Sequence, residues 1–97
     1  MLTSKQRAYL RSLGHDLDPV FQVGKAGLTS EIVAELDDVL EARELIKVAV
    51  LQNCLDDPKT IADEAARRLR ADVVQKIGRK FLLYRAASDE PAIELPS

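Results

Sequence analysis

The 97-residue sequence has no tryptophan, two phenylalanines, two tyrosines, one cysteine and one histidine. The lone cysteine, Cys54, excludes an intramolecular disulfide, and one cysteine with one histidine excludes the usual zinc sites, which take three or four ligands. No stretch approaches the roughly 18 consecutive apolar residues of a membrane span. The scarcity of aromatic side chains predicts an aliphatic core and few platforms on which nucleic-acid bases could stack.

The same scarcity limits the catalytic chemistry that the chain could perform. A nucleophile would have to be Cys54 or a serine paired with His15, and no nucleophile motif surrounds a candidate. A free cysteine after an apolar run is usually an inert buried side chain. We therefore expect no enzyme, no metal, no cofactor and no small-molecule substrate. The free thiol and the charged N-terminal segment predict a cytoplasmic protein.

The rest of the sequence is typical of a folded domain, with 46% hydrophobic and 31% charged residues. Hydrophobic periodicity predicts the order α-β-α-β-α-β-β. Helices between strands imply parallel pairing, and the last hairpin adds an antiparallel neighbour. We expect a two-layer α/β domain with a mixed four-stranded sheet over residues 1–87. Two prolines and three acids predict a flexible acidic tail over residues 88–97.

The turn Gly24-Lys25-Ala26-Gly27 joins a predicted strand to a predicted helix that Thr29 caps. Two glycines let the backbone approach a ligand closely, and the following helix N-terminus offers free N–H groups to a phosphate. The spacing matches neither the Walker A loop nor the dinucleotide-binding fingerprint. A GxxG turn is more often only a tight connection than a binding site, and both interpretations stay open.

The charge distribution favours the binding interpretation. A net charge of −2 argues against a nucleic-acid partner. However, the net charge is +2 over residues 1–30, −5 over 31–72, +4 over 73–88 and −3 over 89–97. The basic residues therefore gather in the first helix, the GxxG loop and the final hairpin. Such a face can bind a phosphate backbone, although a surface that only keeps the protein soluble is the alternative.

Three segments carry a family resemblance: LGHDLDPVFQVGKAGLT at 13–29, ELIKV at 44–48 and VQKIGRKFLLYR at 74–85. They resemble the signature of the CRM domain, named for chloroplast RNA splicing and ribosome maturation. The similarity covers about residues 2–86 and is greatest to the bacterial stand-alone YhbY-like group. It implies an RNA-binding fold similar to the C-terminal domain of translation initiation factor 3. It also likens the GxxG loop to that of KH domains, which clamps backbone nucleotides.

The resemblance implies a non-catalytic RNA-binding protein, which we expect to be a monomer, acting on 23S ribosomal RNA or pre-50S particles in large-subunit assembly. It assigns RNA contacts to Gly24, Lys25, Ala26, Gly27, Lys47, Arg79, Lys80 and Arg85. The charge distribution and the helix cap add Arg7, Arg11, His15 and Thr29. The alternative function is a protein-interaction module that engages a ribosome-associated protein through the acidic helical face at Asp37 and Asp38.

Overall fold

The computed structural model describes residues 2–97. Its elements follow the predicted order. They are α1 (Ser4–Gly14), β1 (Pro19–Val23), α2 (Ser30–Arg43), β2 (Leu45–Val50), α3 (Pro58–Leu69), β3 (Asp72–Ile77) and β4 (Lys80–Tyr84).

Each helix begins at the cap that the sequence indicates. Thr3 and Gln6 form a reciprocal capping box at the start of α1. The hydroxyl of Thr29 accepts the N–H of Ile32 at 3.1 Å, and Asp57 caps α3. The Thr29 cap matters most for function, because it fixes the point at which the GxxG loop enters α2.

The four strands form one mixed sheet in the order β1-β2-β4-β3. The β1–β2 pair is parallel, whereas β4 is antiparallel to both β2 and β3. The last strand of the chain therefore lies in the middle of the sheet. Gly78 opens the two-residue β3–β4 turn at φ +56°, and Arg79 has no positive φ, which is the pattern of a type II′ hairpin.

Helices α2 and α3 pack on one face of the sheet, which we call the covered face. Its core is aliphatic apart from Phe81, as the composition predicts, and Cys54 is buried at its margin. Alternate strand residues point into it, namely Val23, Ile46, Val48, Val50, Phe81 and Leu83. The sheet and these two helices make the two layers expected from the sequence.

Helix α1 lies on the opposite face, which we call the open face, and adds a partial third layer that the prediction did not place. Leu10 packs there with Leu45, Leu82 and Tyr84. A Cβ on Gly14 would lie 2.6 Å from Leu82 Cδ1, so the glycine lets the end of α1 rest directly on β4. The third layer forms because β2 and β4 carry apolar side chains on both faces.

Residues 87–97 lie against the body of the domain. The carboxylate of Glu44, a residue only 3% exposed, accepts the N–H groups of Ala87 at 2.8 Å and of Ala92 and Ile93 at 2.9 Å. Ile93 and Leu95 pack on the apolar cluster beneath α1. The structure thus gives the segment defined contacts, while its flexibility in solution stays a prediction.

These backbone donors set the ionisation of Glu44. Burial alone would raise its pKa, but hydrogen bonds from Ala87, Ile93 and Ala92 stabilise the charged form, and the pKa lies below the ordinary value of 4.5. A hydrogen bond from the Ser88 side chain, and then one from its N–H, lowers the pKa of Glu41 in the same way. The carboxylates of Glu41 and Glu44, at the C-terminal end of α2, are therefore stabilised in the ionised form by the contacts that hold the C-terminal segment.

Candidate nucleic-acid interface

The GxxG loop is a turn that its own backbone closes. The N–H of Gly27 donates to the carbonyl of Gly24 at 3.0 Å, and the N–H of Thr29 donates to the carbonyl of Gly27 at 3.1 Å. Lys25 and Ala26 are exposed at the tip. Gly27 has φ +69°, a conformation that favours glycine. The loop therefore has a fixed base and a solvent-exposed tip.

The N-terminus of α2 lies directly after this turn. Because Thr29 already binds the N–H of Ile32, the N–H groups of Ser30 and Glu31 are the donors left for an anion. The acidic side chain of Glu31 in the first helical turn offsets part of the positive helix end. Anion binding here consequently depends on the full charge of Lys25.

The two glycines of the loop are not equivalent. A Cβ on Gly24 would lie 3.6 Å from Leu51 Cδ1 and from Asn53 Oδ1, which is ordinary van der Waals contact. Only the position of Gly27 requires glycine for its backbone conformation. Arg68 of α3 supports the exit of the loop by donating to the carbonyl of Leu28 at 3.0 Å. We did not identify this arginine from the sequence, where it is one of several outward charges on α3.

The β3–β4 turn lies at the same edge of the sheet as the GxxG loop. Val23, which precedes the loop, pairs with Val50, whose N–H donates to the carbonyl of Arg79 at 2.7 Å. Arg79 Nε donates to the carbonyl of Val50 at 2.9 Å, and Nη2 donates to that of Leu51 at 2.6 Å. Arg79 is thus near the loop as expected, but its guanidinium holds the end of β2.

A row of four residues on the open face joins the loop to the hairpin. The strand register aligns Gln22 with Ala49, Ala49 with Lys80, and Lys80 with Ile77. Gln22, Lys80 and Ile77 are exposed, and Ala49 is half-buried. Their neighbours Val23, Val50 and Phe81 point into the covered face, so this open row faces the other way.

A groove of about 230 Å³ lies beside this row, between the end of α1 and the β3–β4 hairpin. We call it the α1 groove. Its lining residues are Gly14, His15, Lys47, Gln75, Ile77, Lys80, Phe81 and Leu82, with no acidic residue among them. Lys47 Nζ donates to the carbonyl of His15 at 3.3 Å. The structure therefore brings together three of the predicted binding residues: His15, Lys47 and Lys80.

The cations of α1 differ in their surroundings. The guanidinium of Arg7 donates to the carbonyl of Val73 and is half-buried, so it attaches α1 to β3. Arg11, one turn further along, is exposed. Asp16 and Asp18 lie on the β1 side of Lys47, where they line a second cavity with it. The basic surface is thus bounded by acids on that side.

The structure does not bring Arg85 to this surface. Arg85 Nη1 donates to Asp37 Oδ1 at 2.6 Å and to the carbonyl of Leu69 at 3.0 Å, and Nη2 lies 3.6 Å from Glu41 Oε1. Its side chain points to the covered face, as strand alternation after Phe81 and Leu83 indicates. That alternation was available in the sequence and separates Arg85 from Lys80.

Ion pairs follow the same division of the sheet. Among residues 2–97 they join Arg67 to Glu64, Lys76 to Asp63, and Arg85 to Asp37 and Glu41. All of these pairs lie on the side of α2 and α3. Lys25, Lys47 and Lys80 take part in none of them, so no carboxylate among residues 2–97 neutralises their charges through an ion pair. Asp37 of the alternative acidic surface is already paired, and Asp38 is exposed.

Two other classes of site have no counterpart in the part of the chain that the structure describes. Over residues 2–97, no group of three or more His, Cys, Asp or Glu side chains is arranged to hold a metal ion. Within the same residues, no helix combines the length and apolarity needed to cross a membrane.

A mixed α/β sheet with a GxxG loop and, at one end of its strands, cations that form no ion pair among residues 2–97 has the features of a candidate nucleic-acid-binding domain. The CRS1/YhbY (CRM) domain family matches residues 2–85, and the chain belongs to this family. The recognition made from the three sequence segments is thereby confirmed.

Individual relatives agree with this assignment. The chain is 46% identical over 96 residues to the probable RNA-binding protein YqeI of Bacillus subtilis, covering 99% of this chain and all of the relative. It is 42% identical over 84 residues to the probable RNA-binding protein PA4753 of Pseudomonas aeruginosa, covering 87% and 81% of the two chains. These relatives are named for RNA binding and not for an enzymatic activity.

A solved structure confirms the fold class. The solution structure of SAV1595 from Staphylococcus aureus, described as a candidate RNA-binding protein, matches with a TM-score of 0.82 and 49% sequence identity. The match covers 99% of this chain and 100% of the other. The mixed four-stranded α/β arrangement is therefore shared with this protein.

Proposed function

We propose that the protein is a non-catalytic RNA-binding protein whose contact surface consists of the GxxG loop, the open row and the α1 groove. The observation that carries the proposal is the continuous placement of Lys25, Lys80 and Lys47 along this surface, without an ion pair to any residue from 2 to 97. The names of the relatives support RNA as the ligand.

The size of the surface indicates a modest number of phosphate contacts. Four cations are available for them: Lys25, Lys47 and Lys80 together with Arg11. If each meets one phosphate of a single strand, log K against log salt has a slope of about −3. Affinity for a short naked RNA is therefore moderate and falls steeply as salt increases.

Ribosomal RNA is the proposed target. We infer that the protein acts in the cytoplasm on 23S RNA within pre-50S particles during assembly of the large subunit. The support is membership of the CRM family, with the ribosome maturation that its name includes. A large folded RNA would also supply contacts outside the few that this surface makes.

RNA binding is tested with fragments of 23S RNA by fluorescence anisotropy across a salt series. The double variant Lys25→Glu/Lys80→Glu should bind about tenfold more weakly or worse, and its salt slope should be shallower by about 1.4. The matched control is Arg70→Glu, an exposed charge reversal at the far end of α3, which should leave both quantities unchanged. Unchanged binding by the double variant would overturn the proposal.

The target is tested by crosslinking the protein to ribosomal particles and identifying the contacted nucleotides. Crosslinks from the loop to 23S RNA in pre-50S particles are expected. Crosslinks confined to the small subunit would contradict the assembly role. Particle binding that survives nuclease treatment and is lost in Asp38→Asn would instead favour the protein-interaction module.

A further inference from the structure

We propose that the α1 groove is a binding site for one unpaired nucleotide, with the base inside the groove and its phosphate at the rim. The proposal deepens the proposed function and rests on it, because the nucleotide belongs to the RNA that the loop holds. It gives a specific role, contact with the base, to Gln75 and Ile77, which neither the charge pattern nor the GxxG loop identifies.

The shape of the groove suits a small, flat and partly apolar group. Its volume of about 230 Å³ is below the roughly 300–1,000 Å³ typical of sites for drug-sized ligands. Ile77 and Leu82 are the aliphatic side chains of the lining, and Gly14, also a lining residue, lets the end of α1 pack directly on Leu82. Ile77 is 60% exposed, although isoleucine is usually buried. A base packed on it would cover this apolar surface.

The charges around the groove match the other half of a nucleotide. Lys47 and Lys80 contribute ammonium groups, and no Asp or Glu is among the lining residues. Lys47 is positioned by its hydrogen bond to the carbonyl of His15, so one cation is already oriented at the wall. A peptide of mixed charge would gain less from this arrangement than an aromatic base joined to a phosphate.

The position of the groove makes it reachable from the GxxG loop by one RNA strand. Gln22 is the residue next to the end of β1, and Lys80 lies two strands away from it. Two strand spacings correspond to a distance of about 10 Å. The open row between them carries no helix. Bases in an A-form helix are stacked and inaccessible, so only an unpaired nucleotide can enter.

Gln75 supplies a polar group inside the groove. It is half-buried, and its carboxamide can both donate and accept hydrogen bonds. It can therefore bind the edge of any of the four bases. The site is expected to distinguish a nucleotide with a base from one without a base more strongly than it distinguishes among bases.

The test compares two single-stranded probes of equal charge: a decamer of oligoadenylate and a decamer of abasic ribose phosphate. The wild-type chain should bind oligoadenylate about tenfold more tightly at the same salt concentration, since removal of a group from an apolar site has an effect of this order. In NMR spectra, the backbone amides of Gly14, Gln75 and Ile77 should shift with oligoadenylate and not with the abasic probe.

Two variants test the named residues. Ile77→Ser and Gln75→Leu should each reduce the preference for oligoadenylate to about threefold or less, while the affinity for the abasic probe stays unchanged. The control is Leu55→Ser, which alters an apolar side chain that is 87% exposed and outside the groove. It should keep the full preference. Thermal melting verifies that all three variants fold.

The outcomes separate this inference from the proposed function. Equal, salt-dependent binding of both probes by the wild type would overturn the nucleotide site and leave RNA binding through phosphates intact. A preference for oligoadenylate that both variants retain would place the base elsewhere and also overturn the site. Failure of the wild type to bind either probe or 23S RNA fragments would contradict both proposals.

Discussion

Basic side chains on the two faces of the sheet differ in whether they form ion pairs. On the covered face, Lys76 pairs with Asp63, and Arg85 pairs with Asp37 and Glu41. On the open face, Lys47 and Lys80 have no ion-pair partner among residues 2–97. A basic residue of the same hairpin thus either forms an ion pair or has none among these residues, depending on which side of the strand it occupies.

The helices explain this difference. The segment 31–72, which includes α2 and α3, carries eleven acidic residues, whereas α1 has none. Cations on the covered face consequently find carboxylates nearby, and cations under α1 do not. The net charge of −2 averages over both faces and so conceals the separation.

The largest expected effect separates Arg85 from Lys80. Replacing Arg85 with Met removes contacts to Asp37, Glu41 and the carbonyl of Leu69, and should lower the free energy of unfolding by about 2–3 kcal/mol. Lys80→Met should change it by less than about 0.5 kcal/mol. Chemical denaturation gives both values.

RNA binding by the same two variants should show the reverse order. Under conditions in which both are folded, Lys80→Met weakens binding and Arg85→Met leaves it unchanged. Equal loss of RNA binding in the two variants would show that the division between the faces is wrong and would return Arg85 to the binding surface.

The next largest effect concerns residues 87–97, in which Ile93 and Leu95 pack on the apolar cluster of the open face. Because the pKa of Glu44 is lowered by folding, its contribution to stability is complete above the unfolded value, near 4.5, and is lost as the pH falls through the folded value. Relative to the intrinsic exchange rate at each pH, hydrogen exchange of the amides of Ala87, Ala92 and Ile93 should therefore accelerate on acidification.

Glu44→Gln should produce this acceleration already at pH 7, with a loss of about 1–2 kcal/mol of unfolding free energy. The control is Glu94→Gln, an exposed change in the same segment. If these three amides are as protected in Glu44→Gln as in the wild type, the carboxylate of Glu44 does not hold the segment.

The smallest expected effect distinguishes Gly24 from Gly27, the two glycines of the GxxG loop, which lies at the end of the strands. Gly27→Ala places a Cβ at φ +69° and should lower the free energy of unfolding by about 1 kcal/mol. Gly24→Ala meets only ordinary contacts and should cost less than about 0.5 kcal/mol. Thermal unfolding followed by circular dichroism measures both, and equal costs would contradict this difference.

Local features of the fold were predictable from the sequence because short-range signals encode them. The caps at Thr3, Thr29 and Asp57 and the type II′ turn at Gly78 depend on neighbouring residues. The GxxG loop was identified in the same way, whereas Lys80 was identified from the charge distribution and the family resemblance, and Lys47 from the resemblance alone. Their contribution to RNA binding stays a prediction.

Features that depend on tertiary pairing were not predictable in the same way. The hydrophobic pattern does not indicate the insertion of β4 between β2 and β3. The apolar runs of β2 and β4 indicate strands covered on both faces, but they do not indicate that α1 covers the second face. The engagement of Arg85 by α2 and the use of Glu44 as an acceptor for residues 87–93 join positions more than 40 residues apart. The groove at Gln75 and Ile77 depends on the position of β4 and on that of α1, so it forms only in the assembled sheet.

The central position of the last strand also governs how the domain can fold. Until residues 80–84 are available, β3 has no hydrogen-bonding partner, and β2 is paired on one side only. Strands β1 and β2 can associate early, but they leave an unpaired edge that would accept a strand from another chain. During synthesis from the N-terminus, the sheet is therefore completed late, and truncation before residue 80 should yield an aggregation-prone fragment instead of a smaller stable domain.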